Sequence, residues 1–284
     1  MHTINITAKD GRSIPAVLYN VEKSDKKGII IICHGFSEHS GLYKDIAEAF
    51  WSASYACTIF DQRGHGTTPL NAKKWYGQIP NYQCFIDDVV AVTEKVRQMA
   101  SETPIILFGF SMGGNIAVNT LLRIPDEQAN VYKCAVLEAP WLGLYKKHNV
   151  LTVCAAKILN LIMPNFTIAR KQKLDDSSDE NENIKYYSTD PLNHNRISIR
   201  MLTGIYNACD YALKNAYRLP VPSLIAYADN DTVVCNEDIH RFAQKAGNMV
   251  EVRGYNSKHS IHDGDREQFI HDLIAFLDSH CVLI

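Results

Sequence analysis

The chain has 284 residues, of which 46% are hydrophobic and 21% charged, enough apolar material for a large buried core in one domain or two. Its formal charge of −2 leaves no basic excess to neutralise phosphates, which excludes nucleic acid as the expected partner. No uninterrupted apolar run approaches the ~18 residues needed to cross a bilayer. The opening Met1-His2-Thr3-Ile4-Asn5 lacks the basic and apolar regions of a secretory signal, so a cytoplasmic location is expected. Eight scattered cysteines without a C-x-x-C pair read as small buried thiols, not as disulfides or a zinc site.

In chain order, residues 4–7 and 16–19 around Asp10-Gly11 read as an antiparallel edge hairpin. Short runs then recur at 28–33 (GIIIIC), 56–60 (ACTIF), 104–108 (PIILF), 134–137 (CAVL), 223–227 (SLIAY) and 249–253 (MVEVR). Strands of this length, apolar throughout, suit a parallel sheet covered on both faces. Helical patterns at 43–53, 85–100, 112–123, 237–246 and 266–279 alternate with them, which predicts a mostly parallel, doubly wound α/β sheet.

One stretch, 143–219, breaks the rhythm and reads as an inserted, mostly helical cap, leaving 1–142 and 220–284 as the core. Within it, 150–163 (VLTVCAAKILNLIM) is apolar on nearly every side and is ended by Pro164. Two readings are open for this helix: a buried cap helix, or a lid that lines an acyl-chain tunnel or makes transient contact with a membrane or micelle. The acidic run 175–182 (DDSSDENE) reads as a solvated loop.

The chemistry centres on the turn after PIILF. Gly109-Phe110-Ser111-Met112-Gly113-Gly114 places a serine between a strand and a helix, with glycines permitting the close backbone approach of a nucleophile elbow. The following helix directs its amide end at the same point, where negative charge would develop. A serine hydroxyl needs a base, and the loop after the last strand supplies His259, with His262 as its rival. The loop after SLIAY holds two acids, of which Asp231, directly before an apolar pair, is preferred to Asp229. The order Ser111, Asp231, His259 is that of an α/β-hydrolase triad. For the oxyanion, amides of Met112 and of Phe36, in the loop after GIIIIC, are expected. The turn Asp61-Gln62-Arg63-Gly64-His65-Gly66 fits no phosphate-binding fingerprint and reads as structural support.

The stretches 34–41 (HGFSEHSG), 63–66 (RGHG), 109–114 (GFSMGG), 155–161 (AAKILNL) and 187–192 (YSTDPL) resemble the monoacylglycerol lipase and lysophospholipase group of α/β-hydrolases, over nearly the whole chain. The resemblance implies the α/β-hydrolase fold and a serine esterase that removes one acyl chain from a glycerol-like head, the chain lying under the cap. It also implies that Glu38, Tyr187 and His262 lie near the glycerol end. Leu42 stands where the group's mammalian lipases carry an arginine, which leaves the head group open. No metal or organic cofactor is expected. Serine at the elbow argues against epoxide hydrolases and haloalkane dehalogenases, which use aspartate there. An aminopeptidase of the proline iminopeptidase type, drawing on Glu38 and the acidic run, and a non-catalytic ligand-binding relative are the competing readings.

Overall fold

A computed structural model describes residues 1–68, 75–169 and 189–281. The elements run β1 (His2–Thr7), β2 (Ser13–Tyr19), β3 (Gly28–Cys33), α1 (Lys44–Ser52), β4 (Tyr55–Phe60), α2 (Gln83–Met99), β5 (Ile105–Phe110), α3 (Met112–Arg123), α4 (Asp126–Ala129) and β6 (Tyr132–Glu138). They continue with α5 (Val150–Ile162), β7 (Thr167–Ala169), β8 (Arg196–Ser198), α6 (Ile199–Asn215), β9 (Ser223–Ala228), α7 (Asn236–Ala246), β10 (Val250–Tyr255) and α8 (Arg266–Cys281).

Eight strands form one sheet in the order β1-β2-β4-β3-β5-β6-β9-β10. β1 pairs antiparallel with β2, and β2 antiparallel with β4; every pairing from β4 to β10 is parallel. β3, β4 and β5 are buried at every position, so both faces of the sheet are covered, as their β-branched and aromatic runs require. β10 departs from the expected apolar strand. It closes the sheet edge, and Glu251 and Val252 lie exposed where no further strand covers them.

α3 follows β5 directly, and all its residues from Met112 to Leu122 are buried. Its polar side chains are satisfied: Asn115 Nδ2 donates to the Trp141 carbonyl at 2.9 Å and Asn119 Nδ2 to that of Ala208 at 3.2 Å. Gly113 lets the helix approach β3, because a Cβ there would collide with the Cys33 carbonyl and sit 2.6 Å from that of His34.

β6 and β9 are sheet neighbours, and the segment 143–219 leaves and returns between them. Its last helix, α6, packs on α3, and α5 lies on α6. α5 has no buried residue; Val150, Leu151, Leu161 and Ile162 are 77%, 80%, 83% and 72% exposed. The helix is therefore not buried, against the first of the two expectations. Among the described elements it packs chiefly on α6, and much of its apolar surface is exposed. β7 and β8 form a small antiparallel ladder that the sequence reading did not anticipate. The acidic run 175–182 lies outside the described residues. Among the described residues no helix is long and apolar enough to cross a membrane. All eight cysteines are free thiols; Cys154, on α5, is exposed, unlike the buried thiols expected.

Candidate active site

Three loops at the carboxyl ends of parallel strands meet at Ser111. Ser111 adopts φ 53° and ψ −112°, a strained conformation for a residue with a side chain, between the end of β5 and the first turn of α3. The strain is held from both sides: Ser111 N–H donates to the Glu138 carbonyl at 2.9 Å, and its own carbonyl accepts from Trp141 N–H at 2.9 Å. Ser111 Oγ lies 2.8 Å from His259 Nε2, and His259 Nδ1 lies 2.7 Å from Asp231 Oδ2.

Asp231 is fixed by its other oxygen, which accepts the Val233 and Val234 amides at 2.7 and 2.9 Å. Burial raises its pKa, but the His259 charge and hydrogen bond and the two amides outweigh burial and hold the carboxyl below its ordinary value. Asp229, the alternative acid, is exposed. Ser111, Asp231 and His259 are each 5% exposed or less, so the relay sits where hydrogen bonds and charges are weakly screened.

Met112 opens α3, where the first amides have no intrahelical acceptor. Phe36 follows β3, which pairs with β5 as far as Cys33 opposite Gly109, so both residues border the serine's edge of the sheet. The loop of Phe36 is heavily braced. Glu38 Oε2 accepts Gly35 N–H at 2.7 Å and the Tyr43 hydroxyl at 2.6 Å. Burial pushes the Glu38 carboxyl up, opposed by the Tyr43 hydrogen bond, the His262 charge and the Gly35 amide. The turn at 61–66 adds support: Gln62 N–H donates to His34 Nε2 at 3.0 Å, Asp61 Oδ1 accepts Ser40 N–H at 2.8 Å, and buried Arg63 grips Asp88 and Asp10.

His262 does not contact Ser111. Its Nδ1 lies 2.8 Å from Glu138 Oε1, and its ring stacks on Tyr43 at 5.6 Å. Burial alone would lower its pKa, but the charges of Glu138, Asp263 and Glu38 and the Glu138 hydrogen bond raise it to about 10. Paired with Glu138, His262 leaves His259 as the histidine within hydrogen-bond reach of the serine hydroxyl. Glu38 and His262 lie close enough to interact electrostatically, and Tyr187 lies outside the described residues.

The sequence matches the family described as serine aminopeptidase, S33, over residues 24–278. The chain belongs to this family, in its monoacylglycerol lipase-like group of α/β-hydrolases. A phospholipase of Bacillus subtilis is 30% identical to this hydrolase over 215 residues, covering 75% of this chain and 79% of its relative. A monoglyceride lipase homologue of monkeypox virus is 26% identical, covering 83% of each chain. Among solved structures, a soluble variant of the Saccharomyces cerevisiae monoglyceride lipase, in complex with a substrate analogue, superposes with a TM-score of 0.86 at 20% identity, over 99% of this chain and 96% of that one. A thermostable carboxyl esterase from Bacillus coagulans, in complex with glycerol, gives 0.83 at 19% identity, over 99% of each. At these identities the structural likeness speaks for the fold.

Several residues of the hydrolase's site escaped the sequence reading. Glu138 directly follows the apolar run CAVL at the end of β6, and nothing in the local pattern indicates its partner. The ties between the segment 143–219 and the rest of the chain were not visible at all. His39 Nε2 lies 2.9 Å from Asp190 Oδ2, and the Ser37 hydroxyl bonds both the carbonyl and the amide of His194, the latter at 3.1 Å. Ser37 has φ 76°, so this contact secures a strained residue beside Phe36. Among the described residues no group of three or more His, Cys, Asp or Glu side chains could hold a metal ion.

Proposed function

We propose that this hydrolase is a serine carboxylester hydrolase that removes a single acyl chain from a monoacylglycerol or lysophospholipid through an acyl-serine intermediate. The observation that carries the reading is the continuous relay from Ser111 Oγ to His259 Nε2 and from His259 Nδ1 to Asp231 Oδ2, at 2.8 and 2.7 Å. Ser111 attacks the ester carbonyl carbon while its proton passes to His259. The resulting oxyanion is received by the amides of Phe36 and Met112. Collapse breaks the ester bond, and His259 returns the proton to the departing alcohol. Water, deprotonated by the same histidine, then attacks the acyl-enzyme, releasing the fatty acid and restoring Ser111. Asp231 keeps the imidazole in the tautomer that leaves Nε2 free to accept.

The lipid assignment draws on the phospholipase and monoglyceride lipases among the relatives and on the outward apolar surface of α5. In this reading 143–219 is the cap over a core of 1–142 and 220–284. α5 meets the surface of a membrane or micelle transiently, and Glu38, His262 and Tyr187 receive the head group. The family's description as a serine aminopeptidase favours a second reading, cleavage of an amide beside a free amino terminus. A panel of monoacylglycerols, lysophospholipids, nitrophenyl esters of rising chain length and aminoacyl anilides separates the two. Highest kcat/KM on a single-chain lipid ester is expected; preference for the anilides would overturn the lipase reading.

A further inference from the structure

Glu138 is a fully buried carboxylate at the carboxyl end of β6. Its Oε1 accepts the amides of Ile261 at 2.9 Å and His262 at 3.0 Å, and its two oxygens lie 2.8 and 2.9 Å from His262 Nδ1. Its main-chain carbonyl accepts Ser111 N–H at 2.9 Å. One residue thus touches the elbow of the serine and, 123 and 124 positions away in sequence, the loop that carries His259. Asp231 fixes His259 by its ring; on the far side of His259 the loop is held by Glu138 at Ile261 and His262.

We propose, on the reading of Ser111 as nucleophile and His259 as base, that Glu138 is a positioning residue, holding the 259–262 loop in register with the elbow through two amides and the His262 ring. It acts electrostatically as well. The groups facing His262 are Glu138 from β6, Glu38 and Tyr43 from the segment after β3, Phe110 from β5, and Ser260 and Asp263 from its own loop. Burial alone would lower the His262 pKa, but the charge and hydrogen bond of Glu138, with the charges of Asp263 and Glu38, raise it to about 10. The Phe110 ring centroid lies 5.1 Å from that of His259 and 5.0 Å from that of His262, so both imidazoles contact one aromatic side chain. Without the Glu138 charge, a protonated His262 would oppose the positive charge that His259 must take up in each step.

Steady-state kinetics of the full chain on a short nitrophenyl ester, from pH 5 to 9, test the proposal with Glu138→Gln, Glu138→Asp and, in parallel, Ser111→Ala. In Glu138→Gln the amide oxygen can accept the two backbone N–H groups, but its NH₂ opposes His262 Nδ1. Displacement of a base by part of an ångström costs on the order of 10–100-fold. The expected result is that loss in kcat with KM unmoved, and a new inflection below which kcat falls further as His262 takes up an unbalanced proton. Glu138→Asp retains the charge but reaches one methylene less far, so kcat should fall with no added inflection. A folded Glu138→Gln protein with wild-type kcat and pH profile, beside an inactive Ser111→Ala, overturns the role of Glu138 alone. Activity in Ser111→Ala overturns the nucleophile instead. If circular dichroism shows Glu138→Gln unfolded, Glu138→Asp decides: wild-type kcat there refutes the proposal.

Discussion

Replacing Asp231 by asparagine changes one oxygen for an NH₂ group and leaves the shape intact, so its effect isolates the hydrogen-bond logic of the relay. Oδ1 accepts the Val233 and Val234 amides at 2.7 and 2.9 Å, and Oδ2 lies 2.7 Å from His259 Nδ1. If the new NH₂ faces His259, the ring must present a bare Nδ1 and carry its proton on Nε2, where it can no longer take one from Ser111. If the amide rotates, its NH₂ opposes two backbone donors in a buried site, a loss of ~1–3 kcal/mol for each unsatisfied group. The first orientation therefore prevails, and the wrong tautomer in a serine triad costs about 10⁴ in kcat, or about 5.4 kcal/mol. Asp229→Asn, at an exposed position, should alter kcat by no more than about twofold. Both variants are compared by kcat on a short nitrophenyl ester. Asp231→Asn within tenfold of wild type, or a larger loss in Asp229→Asn, would refute the assignment of the acid.

Gly113→Ala should destabilise the fold by several kcal/mol or prevent it, because the added methyl meets the Cys33 and His34 carbonyls with no side chain able to move aside; a melting temperature equal to wild type contradicts this. Burial lowers the His34 and His65 pKa values to about 4 and about 3, overcoming the neighbouring groups that raise them. Unfolded histidine binds its proton near pH 6.5, so below that value the unfolded chain takes up more protons, and each ring removes up to about 1.4 kcal/mol of stability per pH unit. Urea midpoints measured from pH 7.5 to 5 should therefore fall with acid; a flat profile contradicts the burial of neutral rings. His262, raised to about 10, works in the opposite sense, its contribution intact below pH 6.5 and lost as pH rises toward 10. Leu151→Glu and Leu161→Glu, at positions 80% and 83% exposed, should leave melting and short-ester turnover unchanged while reducing turnover on vesicle-borne monoacylglycerol. Equal turnover on vesicles would remove α5 from lipid contact.

What the sequence made legible follows from local rules. Four consecutive isoleucines in β3 can be satisfied only by a strand covered on both faces, and glycines around Ser111 by a turn in which backbone meets backbone. Asp231 and His259, which the structure brings together with Ser111, could be picked out because each lies just beyond a strand end, where a parallel sheet gathers its loops. What stayed hidden depends on neighbours distant in the chain. An all-round apolar helix reads the same whether it is enclosed or, like α5, has no buried residue. MVEVR became an exposed edge because strand order, not composition, put β10 last. Glu138 met the histidine loop, and Asp190 met His39, across separations that no local pattern encodes.

The central claim is that Ser111 is the nucleophile. Wild-type protein treated with a fluorophosphonate should acquire one adduct, on the peptide containing Ser111, with loss of esterase activity in proportion. Ser111→Ala should take no label and lose about 10⁶-fold in kcat. Retained turnover in Ser111→Ala, or an adduct on another residue, would contradict the account.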